Sequence, residues 1–204
     1  MHRSGHFTAP GGARGVGPEQ GNIDRGTSMI ELVDYQFGPA SRLRLGDTTR
    51  PGREGAVAAL ETFYYALNRR DLTALAAVWS QDELAQLNNP LGGILRSGQA
   101  ITDLYRRVFA GGVNLCVTFV DAATYRLPDA VVFAGREVGR YHDLHGAIVP
   151  LTIRATRVFG YDRDLGRWLQ LHHHGSIDSP EELAAYQDTV RGQPASEVVV
   201  RHTA

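Results

Sequence analysis

No lysine occurs anywhere in the chain; all 21 of its strongly basic side chains are arginines. Schiff-base chemistry, which needs an amine that can lose its proton, is thereby excluded, because arginine stays charged. The same bias points to a GC-rich, bacterial coding sequence. Cysteine is nearly absent too. The single thiol, Cys116, sits in the apolar run VNLCVTFV, so no intramolecular disulfide can form and a buried, inert thiol is expected rather than a nucleophile. No apolar stretch approaches the roughly 18 residues that span a bilayer. The N-terminal MHRSGHFTAPGGARGVG lacks the apolar stretch of a signal peptide, and a cytoplasmic protein without membrane contact is expected. Net charge is −1, with no block of like charges, so a nucleic-acid footprint is not expected either. Small molecules or other proteins are the expected partners, and no cofactor is implied.

With 204 residues, 43% of them hydrophobic, the chain can build one sizeable core. Residues 1–28 are rich in Gly, Pro, Ser and Arg and carry almost no large apolar side chains, which reads as a disordered tail; Met29 is a more sensible start. Residues 29–52 (Ile30, Leu32, Val33, Tyr35, Phe37) read as an extended arm ending in TTRPG. Ala56, Leu60, Phe63, Tyr64 and Leu67 then recur at helical spacing, LTALAAVW repeats the pattern, and Ile101, Leu104, Tyr105, Val108 and Phe109 define a third helix stopped by Gly111-Gly112. Between the second and third helices, LAQLNNPLGGILRSG reads as two short extended pieces around a turn. Everything from Val113 to Ile177 alternates and breaks at short turns, as a four-strand antiparallel meander does. Helices first and sheet afterwards give an α+β class: a cone-shaped curved antiparallel sheet packed against three N-terminal helices. Residues 53–178 form the domain, and 179–204 a short capped helix (SPEELAAYQDTV) and tail.

This order, ending in Trp168, His172, His174 and Ser176, resembles the nuclear-transport-factor-2-like superfamily. That group includes ketosteroid isomerase, scytalone dehydratase, the SnoaL-like proteins and the association domain of calcium/calmodulin-dependent protein kinase II. The local match is nearest to the association domain and its bacterial relatives: Thr156-Arg157-Val158-Phe159, then Asp164, Gly166 and Trp168, then His172, His174 and Ser176. The resemblance implies pocket arginines at Arg136 and Arg157, which in that family bind carboxylate-type small molecules. A third family arginine is replaced by Gly175. It also implies a homodimer formed through the open sheet face. Measured against ketosteroid isomerase, Asn89-Pro90-Leu91-Gly92 places an amide where the catalytic aspartate belongs, and Phe63 stands at the oxyanion tyrosine. Tyr64 is expected to point elsewhere on the helix. An amide cannot abstract a proton, so that chemistry is not expected as normally built.

The triple histidine divides by strand alternation. Trp168, Gln170, His172, His174 and Ser176 share one face, while Leu169, Leu171, His173 and Gly175 take the other. The resemblance puts the position of the replaced family arginine, Gly175, on the cavity side, which implies that His173 faces the cavity. A metal site would need His172 and His174 plus donors such as His142, His145 or Asp178, and nothing in the spacing holds these together, so no metal is expected. The alternative for Arg136 and Arg157 is an ordinary salt bridge, with Glu137 and Asp162 nearby; Arg154 is expected on the opposite face from Arg157. For Tyr64, Trp79 and Tyr105 core packing is the default reading and cavity lining the alternative, whereas Asn89 serves equally as ligand contact or turn residue. The leading expectation is a domain that binds a small organic anion through Arg136, Arg157 and His173, lined by Tyr64, Trp79, Asn89 and Tyr105. Two alternatives stand beside it: a cofactor-independent lyase or isomerase using His173 as general base, and an oligomerisation module.

Overall fold

The computed structural model of the chain describes residues 29–89, 93–111, 114–143, 145–177 and 179–191. The expected tail at 1–28, the Pro90-Leu91-Gly92 turn, the Gly112 stop, Asp178 and the chain after 191 lie outside the described residues.

Helix α1 (Arg53–Arg69) buries the face built from Ala56, Leu60, Phe63, Tyr64 and Leu67. It ends where Arg70 turns left-handed (φ 55°) and returns its N–H to the carbonyls of Ala66 and Leu67. Asp71 opens α2 (Leu72–Val78) by accepting the Ala74 N–H at 2.9 Å, and Ser97 opens α3 (Gly98–Ala110) by accepting that of Ala100. Gly55 is the close-approach residue of α1. A Cβ there would stand 2.4 Å from the Trp168 ring and 2.2 Å from the Arg50 carbonyl, so this turn of helix fits only without a side chain.

Against the helices lies a seven-stranded sheet. Its centre is the expected meander, β4 (Cys116–Arg126), β5 (Ala130–His142), β6 (Ile148–Asp162) and β7 (Arg167–Ile177). The arm supplies β1 (Ile30–Val33), antiparallel to β4; the broken segment supplies β2 (Gln86–Asn88), parallel to β7, and β3 (Leu95–Arg96). The order is β1-β4-β5-β6-β7-β2-β3, so the two irregular stretches cap the edges of the meander. Helix α4 (Pro180–Arg191) follows β7.

Two bulges curl the sheet. One lies in β4 between Val120 and Ala123, with Asp121 at φ 52°; the other shifts β7, where Val158 pairs His172 but Phe159 pairs Gln170, leaving Leu171 as the extra residue. The second bulge corrects strict alternation. Trp168 and Gln170 do not share the face of His172 and His174, because Leu171 absorbs one step of the pleat; Gln170 is buried beside His173. The main core fills the space between helices and sheet with Phe63, Tyr64, Phe119, Phe133 and Phe159. A smaller cluster of Tyr141, Leu151, Ile153 and Ile177 receives Leu183 and Tyr186 of α4. Among the described residues, no helix is long and apolar enough to cross a membrane.

Candidate functional site

Three consecutive strands place Phe133, Arg157 and His173 side by side on the inner face, since Arg157 pairs with Phe133 on β5 and with His173 on β7. Arg157 is 1% exposed. Its guanidinium carbon lies 3.8 Å from the Phe63 ring centre and 4.9 Å from that of Tyr64, a cation–π seat provided by adjacent residues of α1. Each of its nitrogens donates to a buried acceptor: Nε to the Tyr64 hydroxyl at 2.9 Å, Nη1 to Gln170 Oε1 at 3.3 Å and Nη2 to Glu137 Oε1 at 2.5 Å. The Tyr64 hydroxyl donates in turn to Glu137 Oε1 at 2.7 Å. Burial works against the arginine's charge, but the Tyr64 oxygen and the Glu137 carboxylate outweigh it and hold its pKa above the ordinary value. Burial pushes the Tyr64 hydroxyl well above its usual range, which keeps it a donor.

His173 stands 3.9 Å from Glu137 Oε1 through its Nε2, too far for a hydrogen bond. Neither of its ring nitrogens has a hydrogen-bond partner among the described residues, and both are shut off from solvent. Burial, seconded by the positive Arg157, drives its pKa well below the histidine value, so the imidazole is neutral at pH 7. The ring borders a cavity of about 70 Å³, whose wall also includes Asn89, Tyr105, Glu137, Arg157, Leu67 and Leu104, with Tyr186 of α4 completing it. The Tyr186 hydroxyl is raised to about 12, by burial first and then by Glu137.

Of the residues singled out in the sequence, Arg157, His173, Asn89 and Tyr105 meet at this cavity. Tyr64 does not point away from it: its hydroxyl ties Arg157 to Glu137 behind the cavity wall. Trp79 is buried in the main core and is not part of the wall. Arg136 is a correction. Its side chain is 55% exposed on the outer face of the sheet, 3.4 Å from Asp121. β5 alternates without interruption from Phe133 to Tyr141, so the inward place next to Arg136 belongs to Glu137. His174 is exposed and His172 half-buried, both on the outer face. Among the described residues no group of three or more His, Cys, Asp or Glu side chains is placed to hold a metal ion.

Glu137 and Tyr186 on the cavity wall, and Gln170 on Arg157, are the site residues that sequence reasoning missed. Counting in twos from Phe133 would have found Glu137. Gln170 is hidden by the bulge, and the docking of Tyr186 leaves no local signal.

A family model described as a SnoaL-like domain matches residues 57–180. Solved structures with the same fold include a candidate dehydratase of the nuclear-transport-factor-2-like family from Streptomyces avermitilis, 20% identical, with TM-score 0.54, covering 61% of this chain and 94% of that one. A candidate calcium/calmodulin-dependent protein kinase II association domain from Xanthomonas campestris is 23% identical, with TM-score 0.53 and coverage of 64% and 90%. A ketosteroid isomerase-like protein from Erwinia carotovora atroseptica is 18% identical, with TM-score 0.51 and coverage of 61% and 94%. No curated protein matches.

Proposed function

Because this chain belongs to the SnoaL-like domain family, we propose that its cavity is a binding site for a small organic molecule and that His173 is the polar group that recognises it. One observation carries this reading. Among the described residues, both nitrogens of a buried imidazole lie without hydrogen-bond partners beside the cavity. A buried polar atom left unsatisfied costs about 1–3 kcal/mol, and a ligand that offers His173 a donor or an acceptor recovers that cost. The sequence suggests an anion, but the charge balance argues for an uncharged ligand. Arg157 already neutralises Glu137, and a second carboxylate beside His173 would face Glu137 without a countercharge. A hydroxyl- or carbonyl-bearing molecule meets the neutral imidazole without that repulsion. The test is a thermal-shift series of small alcohols, ketones and carboxylates on wild type and His173→Phe. Uncharged compounds should stabilise the wild type only; identical responses of the two proteins across the series would refute the reading.

A second reading is favoured by the 3.9 Å between His173 Nε2 and Glu137 Oε1. A neutral imidazole next to a carboxylate held by Arg157 and Tyr64 is suited to accept a proton from a carbon acid, as a lyase or isomerase requires. Deuterium exchange into a bound ketone, abolished in His173→Gln with the melting temperature retained, is its expected signature. In either case a homodimer through the outer face of the sheet accompanies the domain.

A further inference from the structure

We infer that α4 is the lid of this cavity and that Tyr186 is the residue that sets the size of molecule admitted. The ligand named in this inference rests on the small-molecule reading above; the lid itself rests on geometry alone. Tyr186 does two things at once: its side chain forms part of the cavity wall, and its ring packs edge-on against Tyr141, with centroids 5.2 Å apart and planes at 79°. The rest of the wall comes from α1, α3, the strands and the adjoining Asn89 and Leu115, held by the main core apart from Ile153 of the smaller cluster.

The attachment of α4 differs from that of every other helix. Among the described residues it contributes nothing to the main core, and it is seated on the smaller cluster through Leu183 and Tyr186. Its first turn is closed locally, with Ser179 accepting the Glu182 N–H and the Ser179 carbonyl accepting that of Leu183. The helix can therefore lift as a unit, without opening the space between α1 and the sheet.

Size makes the lid consequential. An apolar cavity of about 150 Å³ holds benzene, whereas this one is about 70 Å³. On that scale it holds about half of benzene's bulk, a molecule of about three to four non-hydrogen atoms. Displacing Tyr186 from the wall is the way this cavity gains room for a larger one. The chemical class is thus a short, uncharged hydroxy or oxo compound, with Tyr186 excluding bulkier ones.

Labelling with diethyl pyrocarbonate tests the lid without any ligand, because the reagent acylates neutral imidazoles and the chain has no lysine to compete. Tandem mass spectrometry reads His173 against the exposed His174 in the same molecule. In the wild type His173 should react at least tenfold more slowly than His174. Tyr186→Ala should raise the ratio at least tenfold, Leu183→Ala should move it in the same direction, and Tyr186→Phe should leave it low. A His173 that reacts as fast as His174 in the wild type, or a ratio unchanged in both alanine variants, overturns the lid. Acetone and cyclohexanone then test the size rule through the His173 ring signals in NMR. The wild type should respond to acetone alone and Tyr186→Ala to both; a wild type that takes both equally overturns the role given to Tyr186. Accelerated labelling together with no response to either ketone in any variant supports the lid and refutes the small-molecule reading, so the two fail separately.

Discussion

Arg136 and Arg157 are the same residue type on neighbouring strands, and the fold gives them opposite energetics. Arg157 and Glu137 are both buried, so removing one leaves the other without its countercharge in a low dielectric. Glu137→Gln is expected to destabilise the domain by about 3–5 kcal/mol in urea unfolding, a large part of a typical total of about 5–15 kcal/mol. Replacing both by apolar residues should cost less than the sum of the single changes. Arg136→Ala removes only an exposed pair with Asp121, and a change within about 0.5 kcal/mol is expected. His173 supplies the pH dependence. Its folded pKa lies well below the unfolded value of 6.5, so below pH 6.5 the unfolded chain binds more protons and acid favours unfolding. The loss approaches about 1.4 kcal/mol per pH unit below 6.5 until the folded pKa is reached. Half-buried His172 shifts the same way, also through burial. Stability measured from pH 7 to 5.5 should fall less steeply in His173→Phe than in the wild type, and parallel curves would contradict the assignment.

Among the elements, α1 shows how local preference yields to tertiary fit. Alanine is a better helix former than glycine by about 1 kcal/mol, so Gly55→Ala would stabilise an isolated helix. In the folded chain the added Cβ meets the Arg50 carbonyl and the Trp168 ring, whose Nε1 donates to that same carbonyl at 3.2 Å. Overpacking of this kind costs about 1–3 kcal/mol, so the net change should be destabilising, with loss of the Trp168 fluorescence environment preceding global unfolding. A more stable Gly55→Ala protein would show that α1 and β7 are looser there than the contacts imply. β7 makes a related point. Deleting Leu171 would remove the bulge and leave strict alternation with Gln170 and His173 both still inward, so the deletion should flatten β7 without separating either from Arg157.

At the scale of the molecule, the sheet buries one face under the helices and presents the other outward, where Thr118, Val138 and Thr152 are cross-strand neighbours and Val138 is exposed. The proposed homodimer uses this surface. Light scattering should give twice the 22.3 kDa chain mass for the wild type and one chain mass for Val138→Glu, with the melting transition kept cooperative. A wild type of single-chain mass at high protein concentration rules the dimer out, and a mass above two chains favours the oligomerisation module instead.

The α+β class, the three helices, the four long strands and the terminal helix were legible in the chain, because periodicity and turn chemistry are local properties that each segment carries with it. His173 in the cavity was legible through the resemblance, which set Gly175 on the cavity side, and the regular alternation near the end of β7 carried that face to His173. Arg136 facing outward follows from the regular alternation of β5, against which the resemblance had set it in the pocket; Gln170 joining Arg157 and the seating of Tyr186 were decided only in the tertiary structure. A bulge resets alternation without marking the sequence, and a helix docks wherever the rest of the fold leaves apolar surface. The partner of Arg157 follows from this. Glu137 stood in the sequence as a nearby charge, and only the pairing of β5 with β6 made it the carboxylate that neutralises the buried guanidinium and thereby sets what the cavity can hold.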